Sequence, residues 1–146
     1  MKHHLTVAVV VENRGRFLMV RERDYLGKER INQPAGHVEP GESVFDAALR
    51  ETLEETRWRI QLVHALGVSE FRAPDGALYL RHSFSGRALE ECQDAELDKD
   101  ILEARWMSLD DIRTSADQHR SPMVWNDLQR YLNGNGVPLD AFYFKV

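Results

Sequence analysis

Between residues 36 and 58 the chain reads GHVEPGESVFDAALRETLEETRW, which packs three carboxylates into a single turn of helix. An α-helix advances about 100° per residue, so Glu51, Glu54 and Glu55 fall within an arc of roughly 100° on one face. Like charges at that spacing destabilise a helix left to itself. A hard divalent cation removes the conflict, because Mg²⁺ and Mn²⁺ take carboxylate oxygens and cancel the clustered charge. As bare charge, the cluster also suits a solvated acidic helix face. The loop ahead of it, INQPAGHVEPGE, carries Pro34, Gly36, Pro40 and Gly41, which exclude regular helix. A helix then starts at Ser43, whose hydroxyl caps it, with Asp46 three residues on completing a capping box. Phe45, Ala48, Leu49, Thr52 and Thr56 share one face, with Leu53 at its margin. That side is expected to pack, and the other to be offered to the metal.

The spacing around the cluster is G-x5-E-x7-R-E-x2-E-E, filled by Gly36, Glu42, Arg50, Glu51, Glu54 and Glu55. With each residue type at roughly 5–7% usage, six fixed positions match by chance on the order of 10⁻⁷ per start point. The stretch resembles the signature of the Nudix hydrolases. That resemblance implies an α/β fold, an α/β/α sandwich around a mixed β-sheet, and Mg²⁺ (or Mn²⁺) as cofactor. It implies cleavage of nucleoside diphosphates linked to another group. It also implies Glu51 and Glu55 as the firmest metal ligands and the carbonyl of Ala35 as an additional one. Glu54 is either ligand or general base, so Arg50, Glu54 and Glu55 form the expected catalytic set. The chain departs from the pattern at Arg57, where the family usually has Gly, followed by the expected apolar residue as Trp58. An Arg there either accepts left-handed strain of about 1 kcal/mol or ends the helix differently.

Arg50 is expected to orient a carboxylate through a fork-shaped ion pair rather than to bind substrate. Glu54, four residues on, lies within its reach, whereas Glu51, its sequence neighbour, is expected to point elsewhere. Glu42 is either that partner or a complement to the helix dipole. A further acid from a downstream loop is implied by the resemblance. Asp98, Asp100 and Glu103 are the candidates, and the reading favours Asp100 or Glu103. His37, directly after Gly36, suits phosphate contact or proton transfer. Arg81 is the other expected substrate-binding residue, as a phosphate contact. His64 and His82 read as ordinary strand histidines. Tyr79, Phe84 and Trp106 are available for stacking, but strand aromatics are more often core.

The remaining sequence narrows class and partners. A chain of 146 residues suits one domain, 1–146, with 42% apolar and 29% charged residues ordinary for a globular protein. A net charge of −5 argues against nucleic acid as partner, since that contact demands a positive surface. No apolar run approaches the ~20 residues that span a bilayer, and the start reads as a strand rather than a signal peptide. Cys92 stands alone in an acidic loop, so no disulfide framework is available and a reduced, cytoplasmic setting is expected. Strands are expected at LTVAVVVE and RFLMVRE around an Asn13-Arg14-Gly15 turn, and at RIQLVHALGVSEFRA and GALYLRHSFSGRA around Pro74-Asp75-Gly76. An acidic loop 89–100, a strand EARWMS, a helix from Ser108 and a second helix from Pro122 to Leu132 follow. The apolar tail GNGVPLDAFYFKV is expected to pack back as a strand. Either monomer or homodimer is compatible.

NQPAGH, LRHSF, ARWMS, RSPMV and VPLD together resemble a bacterial phosphatase subgroup of the family. That likeness implies release of orthophosphate from nucleoside di- and triphosphates and from the hydroxymethylpyrimidine diphosphate of thiamine synthesis. The partner is then a small phosphorylated molecule. Hydrolysis of ADP-ribose or a dinucleoside polyphosphate is the alternative. A non-catalytic nucleotide-sensing domain is a third reading, but it predicts eroded glutamates, and every one is intact.

Overall fold

The structure is a computed structural model and describes residues 2–146. β1 (His3–Asn13) and β2 (Arg16–Arg23) pair antiparallel through a two-residue turn. Arg14 and Gly15 there have φ of 52° and 79°, the mirror-type turn whose twist matches that of the flanking strands. β3 (Glu29–Asn32) returns against β2, and β4 (Ala35–His37) against β1. After α1 (Val44–Thr56), β5 (Trp58–Arg72) and β6 (Leu78–Glu91) make the long hairpin around Pro74-Asp75-Gly76. Asp75 closes that turn by accepting from the Ala77 N–H at 2.9 Å. β7 (Ile101–Ser108), α2 (Leu109–Thr114), α3 (Met123–Leu132) and α4 (Leu139–Phe142) complete the chain.

Among the described residues the sheet has seven strands, ordered β3-β2-β1-β6-β5, with β4 beside β1 and β7 beside β2. β1 and β6 run parallel while the other pairs are antiparallel, so the sheet is mixed. Alternation along β1 explains why both of its faces are dry. Val7, Val9 and Val11 pack with Val44, Ala47, Ala48 and Phe84 beneath α1. Val10 points the other way and joins Phe17, Met19 and Leu66 against Ile112, Val124 and Leu128. Helices therefore cover both faces, as the α/β/α sandwich requires.

Three local expectations change. The tail is not a strand: only Val137 pairs, bridging Ala65, and Pro138 then opens α4. Pro138 offers no N–H to a ladder, and Leu139, Phe142 and Tyr143 are better buried against the α1-side core. The acidic loop begins later than expected, because β6 continues to Glu91 and Glu90 pairs with Arg59 at 2.7 Å. Finally, α1 is rolled relative to the expected stripe. Its buried residues are Val44, Ala47, Ala48, Thr52, Glu55 and Thr56, whereas Leu49 is exposed. The roll brings Glu55 to the protein side of the helix.

Candidate functional site

Ser43 caps α1 as its sequence suggests, its hydroxyl accepting from the Asp46 N–H at 3.0 Å. The helix ends at Arg57, which adopts the left-handed conformation at φ 66° and donates its N–H to the Leu53 carbonyl. The strain is accepted and offset: Arg57 Nε donates to the Ala95 carbonyl at 2.6 Å, and Cys92 N–H to the Arg57 carbonyl at 2.7 Å. An Arg in the usual glycine position thereby ties α1 to the acidic loop.

The loop holding β4 lies directly over the buried side of this helix. Ala35 donates its N–H to Glu55 Oε1 at 2.9 Å. At Gly36 an added Cβ would stand 2.2 Å from Glu51 Cδ and 2.4 Å from both of its oxygens. The glycine of the motif is thus the space in which the Glu51 carboxylate lies. Glu55 is 6% exposed, and the side chains of Glu51 and Glu54 are 12% and 47% exposed. Burial pushes the Glu55 carboxyl well above its ordinary pKa, against the opposing Ala35 hydrogen bond, with Glu22, Glu51 and Asp98 adding repulsion. Glu51 is raised too, first by desolvation, with Arg50 opposing and Glu54 and Asp98 repelling.

Arg50 sits among these acids as a hub. Its Nε and Nη2 grip both oxygens of Glu42 at 2.7 and 2.9 Å, a bidentate pair. Nη1 donates to Glu51 Oε1 at 2.9 Å and to Glu54 Oε2 at 3.1 Å, and Nη2 also reaches the His37 carbonyl at 3.1 Å. The reach to Glu54 matches the expected spacing, but Glu51 does not point elsewhere: Arg50 holds it as well. Glu42 is the strongest partner, and the Arg50 hydrogen bond is what chiefly draws its pKa down. Arg50 claims oxygens of Glu51 and Glu54, and no three acidic, His or Cys groups among the described residues stand together as a ready ligand set. The donor chemistry nonetheless suits a hard cation, being all oxygen and in excess of the positive charge present.

The three downstream candidates part company in the structure. Asp98 donates its N–H to the Glu54 carbonyl at 2.9 Å, and its charge adds to the repulsion at both Glu51 and Glu55. Glu103 turns to Arg21 at 2.5 Å and lines a separate cleft of about 440 Å³ with Trp58 and Trp106. Glu22 escaped sequence reading altogether. It is 8% exposed, accepts from Asn32 Nδ2 at 2.9 Å and faces Glu55 electrostatically. The signal was available: Leu18, Val20 and Glu22 alternate on one face of an apolar strand.

Arg81 is withdrawn into the core. It is 3% exposed, and its guanidinium donates to Asp127 Oδ2 at 2.9 Å, Asn32 Oδ1 at 3.1 Å and Gln33 Oε1 at 2.7 Å. It is a core ion pair that holds the loop leading into Ala35, not a phosphate contact. His37 is exposed beside the cluster, its ring Nε2 3.1 Å from His4 Nδ1. Desolvation, then repulsion from His4, lowers its pKa.

The chain matches the NUDIX domain family over residues 2–125. It is 39% identical over 139 residues to the phosphatase NudJ of Escherichia coli K12, covering 95% of this chain and 90% of that protein. Among solved structures it resembles a NUDIX hydrolase from Nitrosomonas europaea with a TM-score of 0.95 and 37% identity, over 99% of this chain and 98% of the other. A bifunctional NMN adenylyltransferase/ADP-ribose pyrophosphatase from Francisella tularensis, complexed with AMP and a manganese ion, shares the fold. Its TM-score is 0.65 at 22% identity, over 92% of this chain and 42% of that one.

Proposed function

The chain belongs to the NUDIX family of hydrolases, and from that premise we propose a metal-dependent phosphohydrolase that releases orthophosphate from nucleoside di- or triphosphates or a small pyrimidine diphosphate. The observation that carries this reading is the Glu51–Glu55 pair. Both carboxylates are withdrawn from water beneath Ala35 and Gly36, and both hold protons more tightly than usual. Such a pair gains by meeting a cation. Glu51, Glu54, Glu55 and the Ala35 carbonyl are the groups that would hold Mg²⁺ or Mn²⁺. When bound, the ion polarises the phosphoryl group under attack and acidifies a water.

The protein's own part is positional. Arg50 holds Glu54 by Oε2 and leaves Oε1, on the most exposed of the three acids, to take the proton of the attacking water. Glu42 fixes Arg50, which also holds the His37 carbonyl and so keeps His37 beside the carboxylates. The NudJ likeness supports terminal-phosphate release rather than cleavage of an internal linkage. No helix among the described residues is long and apolar enough to cross a membrane, and a cytoplasmic setting belongs to the same proposal.

The test is a product assay. Purified protein with Mg²⁺ is offered nucleoside di- and triphosphates, hydroxymethylpyrimidine diphosphate, ADP-ribose and a dinucleoside polyphosphate. Orthophosphate from the first groups, abolished by EDTA, is the expected result. AMP from the last two, with no orthophosphate from any terminal phosphate, would replace this reading with a pyrophosphatase.

A further inference from the structure

Left-handed backbone at a residue with a Cβ costs free energy, and the chain accepts that cost at Arg57, where a glycine would escape it. What the arginine supplies is a side-chain tie. The segment 92–98, between β6 and β7, hangs from the end of α1 by three hydrogen bonds. Cys92 donates its N–H to the Arg57 carbonyl at 2.7 Å, and Asp98 donates its N–H to the Glu54 carbonyl at 2.9 Å. Arg57 Nε donates to the Ala95 carbonyl at 2.6 Å. The first two end on main-chain carbonyls, which a residue of any type presents at a helix end. The third depends on the arginine.

The tie matters because little else holds this segment. None of residues 92–100 is buried, and Asp98 is exposed with its neighbours Lys99 and Asp100. Beside the segment opens the cleft of about 440 Å³, lined by Leu97 from the loop, Arg57 and Trp58 from the helix end, and Leu102 and Trp106 from β7. Hydrogen bonds, and not buried apolar surface, therefore fix the loop, which places it at the low end of local stability. Yet the loop carries Asp98, whose charge reaches Glu51 and Glu55. Where that charge stands governs how strongly the carboxylates attract a cation.

We propose that Arg57 is a positioning residue for the cation site: by holding Ala95 it keeps the 92–98 segment, and with it the Asp98 carboxylate, beside the acids of α1, and so raises their affinity for a divalent cation. The inference rests on the reading of Glu51, Glu54 and Glu55 as cation-holding groups, and adds a residue that acts on them through Asp98. The sign of the charge separates this role from plain electrostatics. An arginine near the acids repels a divalent cation, so its removal alone would tighten binding. Weaker binding without Arg57 has to come from lost geometry. Two variants divide the effects. Arg57→Gln sets an amide nitrogen the same number of bonds from Cα as Arg Nε, so the donor stays and the charge goes. Arg57→Gly removes both and adopts the φ of 66° freely.

Mn²⁺ binding to the full chain, without substrate, is measured by electron paramagnetic resonance. The dissociation constant should rise about tenfold in Arg57→Gly and stay at or below the unaltered value in Arg57→Gln. In an Asp98→Asn background Arg57→Gly should weaken binding no further, because the group it positions has lost its charge. Equal affinity in Arg57→Gly and the unaltered protein, or a tenfold loss that persists with Asp98→Asn, would overturn the proposal. The loop is read without metal through Cys92, the one cysteine of the chain. Its alkylation by iodoacetamide should run about tenfold faster in Arg57→Gly than in the unaltered protein or Arg57→Gln. Equal alkylation rates, with Mn²⁺ bound by the unaltered protein, overturn this inference alone. Absence of Mn²⁺ binding in the unaltered protein overturns the hydrolase reading and this inference together.

Discussion

Two arginines in this molecule, Arg81 with three side-chain hydrogen bonds and Arg50 with five, have opposite meanings. The Arg81 side chain is 4% exposed and faces one carboxylate, Asp127, that is 1% exposed, with the neutral amides of Asn32 and Gln33 taking its other donors. Its charge is balanced and the group is closed. The Arg50 side chain is 23% exposed and lies within 4 Å of four carboxylates, Glu39, Glu42, Glu51 and Glu54. One positive charge among four negative ones leaves the cluster anionic. The excess of anions, and not the presence of an arginine, separates a site able to accept cations from a piece of scaffold.

Variants at the two places should therefore fail in different ways. The largest effect belongs to Glu54→Gln combined with Glu55→Gln. The shapes are kept, but the oxygens lose the charge that holds cations and accepts a proton, so kcat should fall by about 10³ or more, near 4 kcal/mol, with thermal stability little reduced. Retained turnover would break the assignment of the chemistry to this helix. Asp127→Ala should do the reverse. It leaves the Arg81 guanidinium buried without its carboxylate, at a cost of about 3–5 kcal/mol, seen as a Tm lower by roughly ten degrees. A small change in Tm would mean that the core pair is not the fixed scaffold described.

Glu42→Gln sharpens the contrast. Arg50 keeps Glu51, Glu54 and the His37 carbonyl but loses its bidentate anchor, so activity should fall roughly 10–100-fold while Tm moves only slightly. A pH series separates the regions again. Glu55 has a raised pKa in the folded protein, so above the ordinary carboxylate value of 4.5 the folded state holds a proton that the unfolded chain has lost. Its contribution to stability is complete below that value and is lost as pH rises through the folded pKa. In EDTA, Tm of Glu55→Gln should thus gain on the unaltered protein as pH rises above 4.5. The lowered His37 and His82 act oppositely below their ordinary 6.5, but they are present in both proteins and cancel. A constant difference across pH would remove the buried-carboxylate account. The smallest effect is at Arg57→Gly, which relieves left-handed strain of about 1 kcal/mol but gives up the bond to Ala95. Calorimetry should find a shift of no more than a few degrees in either direction.

Much of the site was legible because it is local. Glu51, Glu54 and Glu55 share a face by helix geometry alone, Ser43 announces the helix start, and Arg14-Gly15 the first turn. The errors have a common origin in distance along the chain. Leu49 was placed on the packing face by periodicity, but the sheet beneath α1 prefers Val44, Ala47, Thr52 and Glu55. Arg81 sits on a strand near the motif in space, and nothing nearby in sequence reveals Asp127 as its partner. Asp98 and Asp100 are alike in sequence, and only the folded chain puts the Asp98 N–H on the Glu54 carbonyl.

The order of residues alone determined the family, the mixed α/β architecture and the set of clustered acids, because each depends on spacing within a turn or alternation within a strand. Only the folded chain decided which acids are desolvated, which arginine is free to organise them, and which rings stand beside them. Those outcomes depend on contacts such as Arg81 with Asp127, 46 residues apart, and His4 with His37, 33 apart. Burial and charge compensation are properties of the packed assembly, and no single segment contains them.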